Sequence, residues 1–309
     1  MSDRARREWM TGVGFVTPAA AVVLLFSVGA IAYSFWVSLH NWDILIPAHP
    51  FVGLHNYSDV LFDKDTIFWI ALGNTFYYVT LLVPSVIVTA FLLSLLAYKA
   101  PYGQGFFKAA FFLPSITPVV VISLIWMWLY RFDGPVNMGL GLVYAGVSPI
   151  ARLAGLSTPA LPNWLTNTST AMPAIVVMSA WQAAGYYSVI FLAGLSEIPR
   201  EFYEAAHVDG AGALKSLLYI TLPLLRNTFI FVSVMLVIGG FQVFTQVYIM
   251  TRGGPGTSTE VMTSAIFKKA FQSYGGMGTA SAMAWLLFAV VFVFVFAYMR
   301  IVKSRRIYD

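Results

Sequence analysis

The chain has 309 residues, of which 59% are hydrophobic, 16% aromatic and 10% charged, and its mean hydropathy is +0.77. These values lie far from those of soluble domains and place the chain in a membrane. The formal charge is +5, but the excess Lys and Arg are spread over positions flanking apolar stretches, where they set topology, so no nucleic-acid partner is expected; the absence of Cys excludes disulfides and thiolate chemistry.

Residues 9–42, 66–98, 109–130, 153–196, 227–251 and 270–299 contain no Asp, Glu, Lys or Arg. Each holds the roughly 20 apolar-rich positions that a helix needs to cross the hydrocarbon core. The expected fold is all-α: a polytopic membrane protein with a single transmembrane domain over 1–309 and six helices near 13–39, 69–97, 109–130, 172–195, 228–250 and 279–299. The basic N-terminus and the apolar run behind it suggest a signal peptide, yet the run extends to about Leu39 and no small-residue cleavage site follows. An uncleaved first helix is expected instead.

The segment after the first helix, 40–66, carries His40, His49, His55 and the acids Asp43, Asp59, Asp63 and Asp65. No two of its His share the i, i+4 or close-turn spacing that metal ligands favour, so no metal is expected. Within 109–130, Pro118 interrupts the third helix as Pro84 does the second. Residues 134–151 are also free of charge, but Gly134, Gly139, Gly141, Gly146, Pro135 and Pro149 break them up. A seventh span would also put the two basic chain ends on opposite sides. The expectation is a long exposed loop over about 131–171 with Trp164 and Leu165 as apolar anchors. A third exposed segment, about 251–278, opens on the turn cluster Thr-Arg-Gly-Gly-Pro-Gly.

Six spans place Arg4, Arg6, Arg7, Lys99, Lys108, Arg200, Lys215, Arg226, Arg300, Lys303, Arg305 and Arg306 on one side, 12 of the 18 basic residues. Lys64, Arg131, Arg152, Arg252, Lys268 and Lys269 fall on the other. The first side is expected to be cytoplasmic, with both termini inside.

Inside the spans Pro84, Pro118 and the pair Gly239-Gly240 are either packing irregularities or hinges beside a pathway. The polar residues there are Asn74, Gln182, Gln242, Gln246 and scattered Ser and Thr, accompanied by Tyr77, Trp181, Tyr186, Tyr187, Phe241, Phe244 and Tyr248. No expected span keeps a charge, which at the bilayer centre costs roughly 2.5 to 3.5 kcal/mol and is retained mainly for proton relays or ion coupling. An ion-coupled secondary carrier or an intramembrane hydrolase is therefore disfavoured, and a neutral, polyhydroxylated solute is expected. No catalytic residue and no phosphate-binding Gly-x-x-x-x-Gly-Lys-Ser/Thr loop occurs.

Between the fourth and fifth helices lies Glu204-Ala205-Ala206-His207-Val208-Asp209-Gly210, followed by Leu214, Leu217, Leu218 and Leu222 at helical spacing up to Pro223. Pro199 suits a first helical turn, Glu201 and Glu204 suit its dipole, and Gly210 offers a left-handed stop. A short helix, a bend and a second amphipathic helix are expected over 199–223. Ala205 and Ala206, bracketed by Glu204 and Asp209, give a surface that another backbone approaches closely; a docking helix and a passive connector both fit this pattern.

The spacing Glu204-Ala205-Ala206, three residues, Gly210, nine residues, Ile220, one residue, Leu222-Pro223 resembles the EAA motif of binding-protein-dependent ABC-transporter permeases. The likeness extends through Phe-Val-Gly-Leu-His-Asn-Tyr at 51–57, Phe-Phe-Leu-Pro at 111–114, Trp126 to Asn137, Pro-Asn-Trp-Leu at 162–165, Ala193-Gly194-Leu195 and Thr251 to Pro255. The chain is most similar to the carbohydrate-uptake branch, the maltose and multiple-sugar type, in its shorter six-span form. The resemblance implies a multi-pass subunit of a bacterial or archaeal plasma (inner) membrane that hydrolyses nothing itself. It pairs with a homologous second permease subunit, two ATP-binding subunits that hold ATP and Mg, and an extracytoplasmic solute-binding protein, and moves a sugar or oligosaccharide by alternating access. Glu204, Ala205, Ala206, Asp209, Gly210, Ile220, Leu222 and Pro223 are then the residues that couple to the ATPase. Gln182, Tyr186, Phe241, Gln242 and Gln246 are the pathway candidates, because the fourth and fifth spans flank the motif and carry the polar side chains. The rival cargo within the family is another small polar solute such as glycerol phosphate.

Overall fold

A computed structural model describes residues 3–43, 47–63, 67–99, 104–153, 160–273 and 275–303. Of the charges used above for orientation, Lys64, Arg305 and Arg306 lie outside them. The described residues form helices and turns with no strand beyond one isolated bridge between His40 and Phe51. Four helices are long and apolar enough to cross a membrane: Trp9–Ser38, Phe68–Tyr98, Ala171–Glu197 and Met277–Arg300. Two bent pairs bring the number up to six: Gly105–Ile116 with Val119–Leu129, at 96°, and Ala213–Leu224 with Arg226–Phe241, at 65°.

The chain divides into two units, one of Met1–Phe68 with Ile266–Ala289 and one of Trp69–Ala265 with Val290–Asp309. In the first, the helix ending at Ser38 passes through a π-helical stretch at Val23–Val28 and leaves Phe15, Leu25 and Phe26 exposed, as a lipid-facing helix does. Its end is organised by Asn56, whose Nδ2 donates to the carbonyls of Ser38 (2.7 Å) and His40 (3.0 Å), while Ser38 Oγ and the Tyr57 hydroxyl meet at 2.7 Å. The histidines are occupied locally: His40 packs on Trp36, His49 stacks on Trp42, and His55 approaches Asp59 at 3.4 Å. Among the described residues no three His, Asp or Glu side chains converge as a metal cluster.

The second unit is built around Ala171–Glu197. That helix buries Ala174, Ser179, Ala184, Gly185 and Ser188 along its length, and such small residues let neighbouring backbones approach where lipid offers no hydrophobic driving force. At Gly185 a Cβ would overlap the carbonyl of Phe111, so the helix Gln104–Ile116 lies in backbone contact there. Phe191 packs against Phe229 of Arg226–Phe241 with ring centroids 4.7 Å apart. Asn74 fixes the turn cluster of the third exposed segment, donating to the carbonyls of Thr257 (2.7 Å) and Glu260 (2.9 Å).

Two expectations need correction. The segment around Pro135 is not an extended loop: Pro135–Leu153 is a 19-residue helix, although not among those long and apolar enough to cross. Pro135 starts it, where a missing N–H costs nothing. Buried Asn137 anchors that end by donating to the carbonyls of Phe132 and Pro162 and accepting from Trp164 Nε1 at 2.8 Å. The glycines behind it cost helix stability but do not forbid a helix. The prolines also differ from one another. Pro84 lies inside the unbroken helix Phe68–Lys99, whereas Pro118 is a true break, with ψ 130° between Gln104–Ile116 and Val119–Leu129. Gly239 and Gly240 sit within Arg226–Phe241, and the chain leaves the helix only after them, before Thr245–Met250.

Candidate functional site

Two places in the second unit collect the residues singled out by sequence. The first is the connector after Glu197. Pro199 precedes the helix Arg200–Val208, with Glu201 in its first turn. The helix ends in a Schellman motif: Gly210 has φ +76°, the Gly210 N–H donates to His207 O at 3.1 Å and the Ala211 N–H to Ala206 O at 2.8 Å. The chain then forms a helix over Ala213–Leu224, π-helical at Leu217–Thr221, and bends at Leu225.

Leu225 is buried with Leu195 and Ile198, and Tyr98, Tyr203 and Phe229 pack against this cluster. Tyr203 is thereby turned inward, and its hydroxyl meets Thr221 Oγ1 at 3.0 Å. Because Tyr203 faces in, Glu204, Ala205, Asp209 and Gly210 face out; Ala206, Ile220 and Leu222 are half-buried and Pro223 is exposed. Around them Phe202, Val208, Leu214 and Tyr219 are exposed apolar side chains, Val208 at 87%. An open groove of about 620 Å³, lined by Tyr98, Arg200, Glu204 and His207 among others, runs beside the helix.

The second place is a cavity of about 250 Å³ between Phe68–Lys99, Gln104–Ile116, Ala171–Glu197 and the helices either side of Gln242. It brings together the pathway candidates Gln182, Tyr186 and Gln246 and the accompanying aromatic Tyr187, which sequence picked out, with Tyr78, Ser115 and Ser179, which it did not. The wall is completed by Leu82, Ala183, Leu236, Gly239 and Gly240. No Lys, Arg, His, Asp or Glu lines it among the described residues. Amides and hydroxyls over a partly apolar floor suit a neutral, hydroxyl-rich solute.

Phe241 does not belong to this set. It is fully buried, with its ring edge-on to Phe76 at 5.0 Å and 5.8 Å from Phe294, so it is a core residue. Gln242 caps the end of Arg226–Phe241, is exposed, and stands outside the cavity.

Residues 68–308 match the family described as the binding-protein-dependent transport system inner membrane component, and the chain belongs to that family. It is a multi-pass membrane protein. The trehalose/maltose transport system permease protein MalF of Thermococcus litoralis is 31% identical over 97% of this chain and 96% of its own length. The arabinooligosaccharides transport system permease protein AraP of Bacillus subtilis is 30% identical over 90% of this chain and 84% of its own. Among solved structures, a bacterial ABC transporter involved in import of the acidic polysaccharide alginate superposes with a TM-score of 0.76 at 20% identity, covering 97% of each chain. That likeness establishes the shared fold.

Proposed function

We propose that the chain is one transmembrane subunit of an ATP-driven, binding-protein-dependent importer of a sugar or oligosaccharide, working by alternating access. The observation that carries this reading is the helix Arg200–Val208, closed by a left-handed glycine and turned so that Ala205 and Gly210 face away from the chain's own core. A surface of small side chains ringed by exposed Phe202, Val208 and Leu214 fits a groove on an ATP-binding subunit. Leu225 and the Tyr203–Thr221 contact connect that helix to Arg226–Phe241, which reaches the cavity. Both chain ends lie in the cytoplasm in this reading, on the side of the ATPase pair. ATP and Mg are held by that pair, and this chain supplies no hydrolytic group.

Nucleotide biases the permease only through contacts that differ between its two states. Shifting a population from 1:99 to 99:1 takes about 5.5 kcal/mol of differential binding, which is within reach of two such docked helices, one from this chain and one from a homologous second subunit. The solute approaches from an extracytoplasmic binding protein, a reading supported by the solved alginate transporter, which was crystallised with a periplasmic protein carrying an alginate pentasaccharide. The neutral lining of the cavity favours a sugar over glycerol phosphate.

The test is uptake of radiolabelled maltose, trehalose, lactose and arabinotriose by cells with and without the chain. At least one is expected to be lost with the chain and lost again when ATP is depleted. Chain-dependent uptake that survives ATP depletion would instead mark a secondary carrier.

A further inference from the structure

Ser115 is the next-to-last residue of Gln104–Ile116, two positions before the break at Thr117 and Pro118. Its Oγ donates to the carbonyl of Gln182 at 2.8 Å and accepts from the backbone N–H of Tyr186 at 3.0 Å. In a regular α-helix that carbonyl and that amide, at i and i+4, belong to each other. The hydroxyl thus sits astride one rung of Ala171–Glu197, and a side chain inserted at a rung is a recognised cause of helix bending.

A second bond runs the other way. The Val121 N–H turns to Pro118 O, so the Thr117 carbonyl at the break is left without that helical partner and takes Gln182 Nε2 instead, at 3.2 Å. Gly185, inside the same turn, lies directly on the Phe111 backbone. Ser115, Gln182 and Tyr186 all line the cavity.

We infer that Ser115 is a positioning residue: its hydroxyl links the bend at Thr117–Pro118 to the turn that carries Gln182 and Tyr186, so that movement of the broken helix re-aims those two side chains in the cavity. The inference rests on the cavity being the solute path. When the hydroxyl withdraws, Gln182 O and the Tyr186 N–H close on each other and the turn tightens. When it inserts, the turn opens. Ser115→Ala leaves each of these backbone groups the other as partner, so no polar group is orphaned and the chain still folds; only the pitch of one turn changes.

The chain contains no Cys, which allows a direct test in membranes from cells expressing the full chain with its companion subunits. Tyr186→Cys and Gln246→Cys place a thiol at two lining positions on different helices, and each is timed against a small water-soluble methanethiosulfonate reagent. Adding Ser115→Ala is expected to change the rate at position 186 by about threefold or more, the worth of a hydrogen bond of ordinary net strength, and to leave the rate at position 246 unchanged. Ser115→Thr, which keeps the hydroxyl, restores the original rate. An unaltered rate at 186, an equal change at both positions, or loss of the Ser115→Ala chain from the membrane overturns the inference. A thiol at 246 that never reacts takes the cavity reading down with it, whereas a reactive 246 beside an insensitive 186 defeats the Ser115 link alone.

Discussion

Tyr203 and Thr221 join their hydroxyls at 3.0 Å, the one side-chain hydrogen bond described between the exposed helix Arg200–Val208 and the helix that leads into Arg226–Phe241. Tyr203→Phe keeps the ring in its apolar cluster and removes only this bond, about 1 kcal/mol net. Stability in detergent is expected to change little, while ATP-driven uptake falls severalfold with the ATP-binding subunit still co-purifying. Thermal melting and transport assays on one preparation check both halves.

Gly210 closes the helix that carries Ala205. With φ +76° and open space within 4 Å of where a Cβ would stand, it is constrained by backbone conformation and not by crowding. Gly210→Val forces a β-branched residue into the left-handed region, at about 1–3 kcal/mol, and should abolish transport while membrane levels of the chain stay normal. Gly210→Asn, which tolerates that region, should retain most of the activity.

Gly185 shows the opposite constraint, since its φ is ordinary and the Phe111 carbonyl occupies the place of a Cβ. Gly185→Ala must separate the two helices and should cost about 1–3 kcal/mol, as overpacking does, seen as a lower melting temperature in detergent. Gly239→Ala, with nothing within 4 Å, should melt no lower than the parent chain.

Gln246 and Phe241 stand five residues apart, one at the cavity and one in the core. Gln246→Ala should raise the KM for uptake several-fold, about what a lost hydrogen bond costs, with little effect on melting. Phe241→Ala should do the reverse, destabilising the chain by about 3–5 kcal/mol. Melting curves and uptake kinetics on the two variants separate the roles.

What sequence reveals depends on how local the cause is. The connector at 199–223 is readable because a proline start, first-turn acids and a left-handed glycine act within a few residues of one another. Gln182, Tyr186 and Gln246 stand out as polar groups in apolar spans. Phe241 does not separate from them, because aromatic side chains at a core and at a pathway look alike until packing is known. Ser115 is hidden for a related reason: its partner Gln182 is 67 positions away, and the only local hint is a hydroxyl pair between Pro114 and Pro118. The helix Pro135–Leu153 escapes a sequence reading because its glycines weigh as loop signals, whereas the bonds of Asn137 to Phe132 and Pro162 hold its start in place.

Docking of the Ala205 and Gly210 face on an ATP-binding subunit is open to cross-linking in native membranes. Because the chain is free of Cys, Ala205→Cys offers a single thiol for a maleimide–benzophenone reagent, whose photoactivated ketone inserts into a C–H bond of whatever protein lies against it. The expected product joins this chain to the ATP-binding subunit and disappears when that subunit is omitted. A thiol that reacts freely with monofunctional reagents yet yields no such product in the assembled, transport-active complex would contradict it.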